Sequence, residues 1–164
     1  MKLESLRSLL IEQLQDLHSA EEQIIEALPK MIERTNDPSL KSALNEHLTV
    51  TRQQLGRLGR IFDEITDADR DEQTCKGMEG LLKEGEEIVK AKGDPETRDA
   101  GIIASAQRVE HYEIAAYGCA RTFAQLLNRR DWAQLLQQTL DEEKEADQKL
   151  TSLAERINVE AKAA

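Results

Sequence analysis

Residues 101–127 read GIIASAQRVEHYEIAAYGCARTFAQLL, and the way this stretch interrupts its own pattern decides the fold. Ile103, Ala106, Tyr117, Ala120, Ala124 and Leu127 recur at steps of three and four along it, the spacing that lines one face of an α-helix. Glu110 and Glu113 fall on that same face. Acids on an exposed face are expected in an acidic chain. Two of them where leucines belong demand compensation, because burying an ionised carboxylate costs several kcal/mol unless it is paired or bound to a metal.

The pattern continues on both sides. After a tight polar turn at Asn128-Arg129-Arg130-Asp131, a last helix is predicted from Trp132 to about Asn158 with the stripe Trp132, Leu136, Thr139, Glu143, Asp147, Leu150, Ala154, Ile157. Toward the N-terminus, a first helix is predicted from Leu3 to about Thr35, its stripe running Leu14, Leu17, Glu21, Ile24, Leu28. Pro29 lies inside it and predicts a kink or break near Glu26 to Leu28, since proline lacks a backbone donor and crowds the preceding turn. A second helix opens at Pro38, a tolerated first-turn residue, and carries Leu40, Leu44, His47, Thr51, Gln54, Leu58 and Ile61. The polar turn TDADRDEQ from Thr66 and a shorter helical stretch, Cys75 to Lys92, read as a crossover before Asp94-Pro95 restarts the long-helix pattern. Two long helices, a long connection with its own short helix and two more long helices form the plan of an all-α, ferritin-like four-helix bundle. We therefore expect one domain over residues 1–164 with a crossover at 66–95, in keeping with 164 residues and a single core.

Composition agrees. Aromatic residues make up 3% of the chain and there are only 8 Gly and 3 Pro, which disfavours sheets and turns. Lys+Arg 22 against Asp+Glu 32 leaves a net charge of −10, so binding to nucleic acid or to an anionic membrane is not expected. No apolar run approaches the roughly 20 residues that span a bilayer. The N-terminal stretch mixes Glu4, Arg7 and Glu12 among its leucines, unlike a secretory signal, and Cys75 and Cys119 make neither a disulfide framework nor a zinc motif. A cytoplasmic address is the expectation, with both cysteines as small buried hydrophobes.

Height along the bundle brings the interior polar residues together. Residues equally far from a hairpin turn lie level on antiparallel helices, at about 1.5 Å rise per residue. Reflection through Arg129 sets Glu110 beside Asp147 and Glu113 within about one turn of Glu143. Reflection through Asn36 sets Glu21 level with Thr51, with His47 about one turn away. No Lys or Arg falls on these stripes, so a bound metal or a water-filled pocket is the simplest compensation. Carboxylates with one imidazole suit iron or manganese, and a dinuclear centre of that kind handles oxygen or peroxide chemistry. The candidate metal residues are Glu21, His47, Glu110, Glu113, Glu143 and Asp147. His18 and His111 read as boundary or surface residues, and Tyr117 is spaced to donate to Glu113.

The strings AEEQIIEALPKM (20–31), EHLTVT (46–51), CKGMEGL (75–81), DAGIIASAQRVEHYEIAAYG (99–118) and TLDEEKEAD (139–147) resemble the YciE/YciF stress-protein family of ferritin-like proteins across nearly the whole chain. The resemblance implies a ferritin-like fold, a homodimer, a cytoplasmic stress-related role and a di-iron site similar to that of rubrerythrin. By position, the family's interior residues match Glu21, His47, Glu110, Glu113 and Glu143. One departure is clear. Family members usually read HLxET on the second helix, whereas this chain has Val50 in place of the glutamate, and no Glu-x-x-His pair is present on the second or fourth helix.

Two functional expectations follow. One is a metal-binding bundle, loaded with iron or manganese and acting as an oxidase or peroxide reductase. Its electron donor would be a separate molecule, because no cysteine cluster marks a built-in one. The other is a non-catalytic structural or interaction bundle whose polar layer is a remnant, with Val50 as its support.

Overall fold

The computed structural model describes residues 4–66, 68 and 73–163. Five helices and no strand occur among them: α1 (Leu6–Arg34), α2 (Pro38–Phe62), α3 (Lys76–Lys90), α4 (Pro95–Leu126) and α5 (Arg130–Ala163). The helix starts are written in local chemistry. Ser5 and Ser8 form a reciprocal capping box ahead of α1, Asp37 accepts from Ser39 and Leu40 N–H at the start of α2, and Asp94 accepts from Thr97 N–H (2.6 Å) at the start of α4. Pro38 and Pro95 occupy first-turn positions, where their missing N–H costs nothing.

α1 runs unbroken through Pro29, so the expected break at Glu26 to Leu28 does not occur. Pro29 faces solvent while Leu28 and Met31 are buried, and their packing outweighs the loss of one backbone donor. α5 continues past the expected end near Asn158 to Ala163. The chain reverses between α4 and α5 at Asn128, whose φ of 59° is the left-handed conformation asparagine tolerates, with Arg129 N–H closing onto Ala124 C=O at 2.9 Å. Most of the expected polar turn at 66–73 lies outside the described residues.

α1 pairs with α2 and α4 with α5, while α1–α4 and α2–α5 contacts close the four-helix bundle. The short crossover helix α3 lies against α4 and α1. Buried Asp99 on α4 accepts from the backbone N–H of Asn36 (2.9 Å) and Asp37 (2.6 Å), tying the α1–α2 turn to the second hairpin. No helix of the described residues is long and apolar enough to cross a membrane.

The core is split in two. One apolar cluster includes Leu10, Leu14, Leu58, Ile61, Trp132 and Leu136, and the other includes Ile24, Leu28, Leu40, Leu44, Ile102 and Leu150. On α1 the first cluster ends at Leu17 and the second begins at Ala20; Glu21 follows, at the waist where they meet.

Candidate metal centre

Each long helix delivers polar side chains to that waist. Glu21 comes from α1, His47 and Gln54 from α2, Glu110, Glu113 and Tyr117 from α4, and Glu143 from α5. The carboxylates of Glu21, Glu110, Glu113 and Glu143 are all buried, at most 2% exposed. Their placement follows from helical periodicity, which turns these residues inward with the leucines of the same stripes.

The ligand-type atoms form two overlapping trios, His47–Glu110–Glu113 and Glu21–Glu113–Glu143, with all atoms of each trio within 4.8 Å of one another. Glu113 belongs to both. His47 Nδ1 stands 3.5 Å from a Glu110 oxygen. Tyr117 donates its hydroxyl to Glu21, in place of the expected Glu113, and Gln54 donates its amide to Glu143. Beyond these bonds, one oxygen each of Glu21, Glu110 and Glu143 and both oxygens of Glu113 are buried without a hydrogen-bond partner. Such atoms are expensive to leave unsatisfied.

Burial dominates the electrostatics. It pushes Glu21, Glu110 and Glu113 well above the usual carboxylate range, and repulsion from Glu143 adds to it in all three. Burial likewise pushes Glu143 up to about 7, against the hydrogen bond from Gln54 that favours its charged form. His47 is lowered to about 4 by desolvation and is therefore a neutral imidazole at neutral pH, with a lone pair to offer a metal.

The structure adds a cation at the edge of the layer and places Asp147, expected as an extra or outer acid, at its periphery. Arg57, one turn beyond Gln54, is only 7% exposed and reaches the edge of the layer. Its guanidinium holds both oxygens of Glu142 at 2.6 Å and donates to Thr139 at 2.9 Å, so its charge is largely matched by Glu142. Arg57 lies beside the Gln54–Leu58 stripe rather than on it, and its long side chain reaches back to the layer. Asp147 lies outside both trios, half-buried, where it accepts from Gln107 (3.1 Å) and faces the exposed His111 at 3.5 Å. Thr51 donates to its own helix, at His47 C=O, and leaves the carboxylates alone.

His18 is buried with its ring edge-on to Phe62 rather than at the boundary, and Cys119 is exposed, whereas Cys75 is buried as expected. Val50 lines a cavity of about 280 Å³ between α2 and α5 that reaches His47, Glu110 and Glu143. A longer side chain at that position would have access to the layer.

The residues present fit a metal. Oxygen-rich, partner-poor and buried, they supply hard carboxylate donors and one imidazole, the donor types a divalent metal ion takes.

Comparison with known proteins gives a consistent picture. Residues 5–163 match a family described as a domain of unknown function, DUF892. Protein YciF of Escherichia coli (strain K12) is 40% identical over 154 residues, spanning 94% of this chain and 93% of that protein. The crystal structure of the E. coli stress protein YciF aligns with a TM-score of 0.90 at 39% identity, covering 94% of this chain and 97% of the other. YcfI of Rhodopseudomonas palustris, presented as a candidate structural protein, aligns with a TM-score of 0.87 at 38% identity over 92% and 95% of the two chains.

Proposed function

The chain belongs to the DUF892 family of YciF-like stress proteins, and on that footing we propose that its waist binds iron or manganese at a carboxylate-rich centre. The observation that carries this reading is the set of buried, unpartnered carboxylate oxygens arranged as two ligand trios sharing Glu113. Four acids in one buried layer repel one another when charged, and divalent cations remove both the repulsion and the unsatisfied lone pairs. Glu21, Glu110, Glu113, Glu143 and His47 are the ligands in this reading, with Glu113 common to two positions. Asp147 is a more distant acid that adds negative potential near Glu110.

Iron or manganese bound there supplies one-electron redox chemistry toward oxygen or peroxide, which suits a protective role under stress. The chain's own residues have the tasks of holding and orienting. Gln54 fixes one oxygen of Glu143 and Tyr117 one oxygen of Glu21, leaving the second of each free, and the Arg57–Glu142 pair ties α2 to α5 at the edge of the layer. The same reading takes the protein to be a cytoplasmic homodimer served by a separate electron donor.

Elemental analysis of chelator-free protein, purified from cells supplied with iron and manganese, tests the proposal. About two equivalents per chain are expected. The double variant Glu113→Gln/Glu143→Gln should bring the content to background; undiminished metal in that variant would refute the assignment. A second reading, a metal-free structural bundle, is favoured by Val50 and by protons held on the raised carboxyls. It predicts metal near zero even after reconstitution.

A further inference from the structure

A second cavity, of about 370 Å³, reaches the waist from the opposite side, between α1, α3 and α4. It meets the α2–α5 cavity at Leu44, His47 and Glu110, which line both. The two differ in character. The α2–α5 cavity carries Glu46, Glu142, Glu145 and Lys149 along its wall, whereas the walls of this one are formed mainly by Ile24, Leu28, Leu82, Val89 and Val109. Room for it comes from small residues: Ala27, Gly85, Ser105 and Ala106 line it, and a Cβ added at Gly85 would sit 3.5 Å from Ser105.

Size and polarity together select a class of ligand. A dry cavity of roughly 150 Å³ already accommodates benzene, so dioxygen or hydrogen peroxide alone would leave most of this one unfilled. Pockets of a few hundred cubic ångströms with apolar walls and a few convergent polar groups are the usual form of small-molecule sites. The polar groups here are His47 and buried Glu110, whose second oxygen has no partner. At the mouth, Lys83 is paired with Glu79 at 2.6 Å and Glu86 with Lys90 at 2.9 Å, while Lys30 and Glu26 both line the cavity, so the mouth favours neither sign of charge. An anionic head would meet carboxylates at the inner end. A cationic head would have to leave water for walls that are mainly apolar, a cost that an uncharged head avoids.

We propose that this cavity binds a small organic molecule with an apolar alkyl or aryl body, seated against α3, and an uncharged hydroxyl or hydroperoxyl head directed at Glu110 and His47. The proposal rests on the metal-centre reading only for the use made of the ligand; the binding itself is a property of the metal-free chain.

The test is titration of metal-free full-length protein with 1-octanol, followed by methyl NMR. Saturable shifts at the lining methyls, Ile24, Leu28, Leu82, Val89 and Val109 among them, with Leu10 and Leu136 unmoved, are expected. Octanoate should bind at least about tenfold more weakly, because its carboxylate would have to leave water for a mainly apolar cavity. Ala27→Phe, which fills the cavity, should abolish the shifts, while Ala146→Phe on the α2–α5 side should leave them intact. Absence of saturable shifts in the folded wild-type protein, or equal shifts in Ala27→Phe verified as folded by circular dichroism, would overturn the site. Tighter binding of octanoate or octylamine than of octanol would overturn the uncharged head. Because no metal is present in the titration, either result is independent of the elemental analysis.

Discussion

Leu14 and Glu21 lie two turns apart on one face of α1, and both are completely buried. Leu14 belongs to the apolar cluster that includes Leu58, Ile61 and Leu136, where removal from water contributes about 1.5–3 kcal/mol per large side chain. Glu21 sits among three other carboxylates, and the same burial works against it until a proton or a cation arrives. The bundle thus consists of two stabilising halves and a waist that they hold together at a cost. Such a pattern is expected where function, rather than stability, selects the residues.

Substitutions of opposite sign should expose this contrast most strongly. Leu14→Ala should destabilise the protein by about 2–5 kcal/mol, the range for truncating a leucine in a close-packed core. Glu113→Gln should raise the stability of the metal-free protein at neutral pH by about 1 kcal/mol, because it removes one charge from the layer and gives its neighbours a donor. Urea unfolding of both variants measures the pair. A loss of stability in Glu113→Gln comparable to that in Leu14→Ala would erase the distinction between waist and halves.

A pH series sharpens it further. Glu143 has a folded value of about 7 against an ordinary 4.5, and Glu21, Glu110 and Glu113 are raised as well, so the folded chain binds more protons than the unfolded chain over that window. The contribution of Glu143 is fully present below 4.5 and is lost as pH rises through about 7, and those of Glu21, Glu110 and Glu113, raised by burial, are likewise lost on the alkaline side. His47 runs the other way, since its contribution is present above 6.5 and is lost as pH falls through about 4. With four carboxyls against one imidazole, the melting temperature of the metal-free protein should fall between about pH 5 and about pH 8. Glu143→Gln should flatten the upper part of that decline. A metal-free protein whose melting temperature rises over the interval would contradict the charge balance drawn for the waist.

The smallest expected effect concerns the wall of the waist. Val50 lines the cavity that leads to His47, Glu110 and Glu143, so Val50→Glu should add a carboxylate within reach of the layer. Metal affinity measured by chelator competition should tighten by about tenfold, equivalent to ~1.4 kcal/mol. Unchanged affinity would mean that the wild-type ligands already complete the coordination.

Much of this architecture was legible in the chain. The stripes through Glu21, Glu110, Glu113 and Glu143 mark inward-facing acids, because a regular helix ties sequence spacing to direction, and hairpin reflection brings them to a common height. Pro29 misled because a local propensity was set against tertiary packing that the sequence does not display. Arg57 and His18 were missed for a related reason. Each lies beside a stripe, and only the rotation of its helix against a neighbour decides whether the side chain is covered.

What the sequence by itself determined is the set of helices, their order and the presence of interior carboxylates, since capping, proline placement and 3.6-residue periodicity are local properties of the chain. The tertiary structure decided the partners. That Glu113 is shared by two trios, that Tyr117 serves Glu21, that Arg57 turns to Glu142 and that an apolar cavity ends at Glu110 all depend on helix rotations and side-chain rotamers. Those are settled only when all five helices pack at once, because each contact is made between residues far apart in the chain.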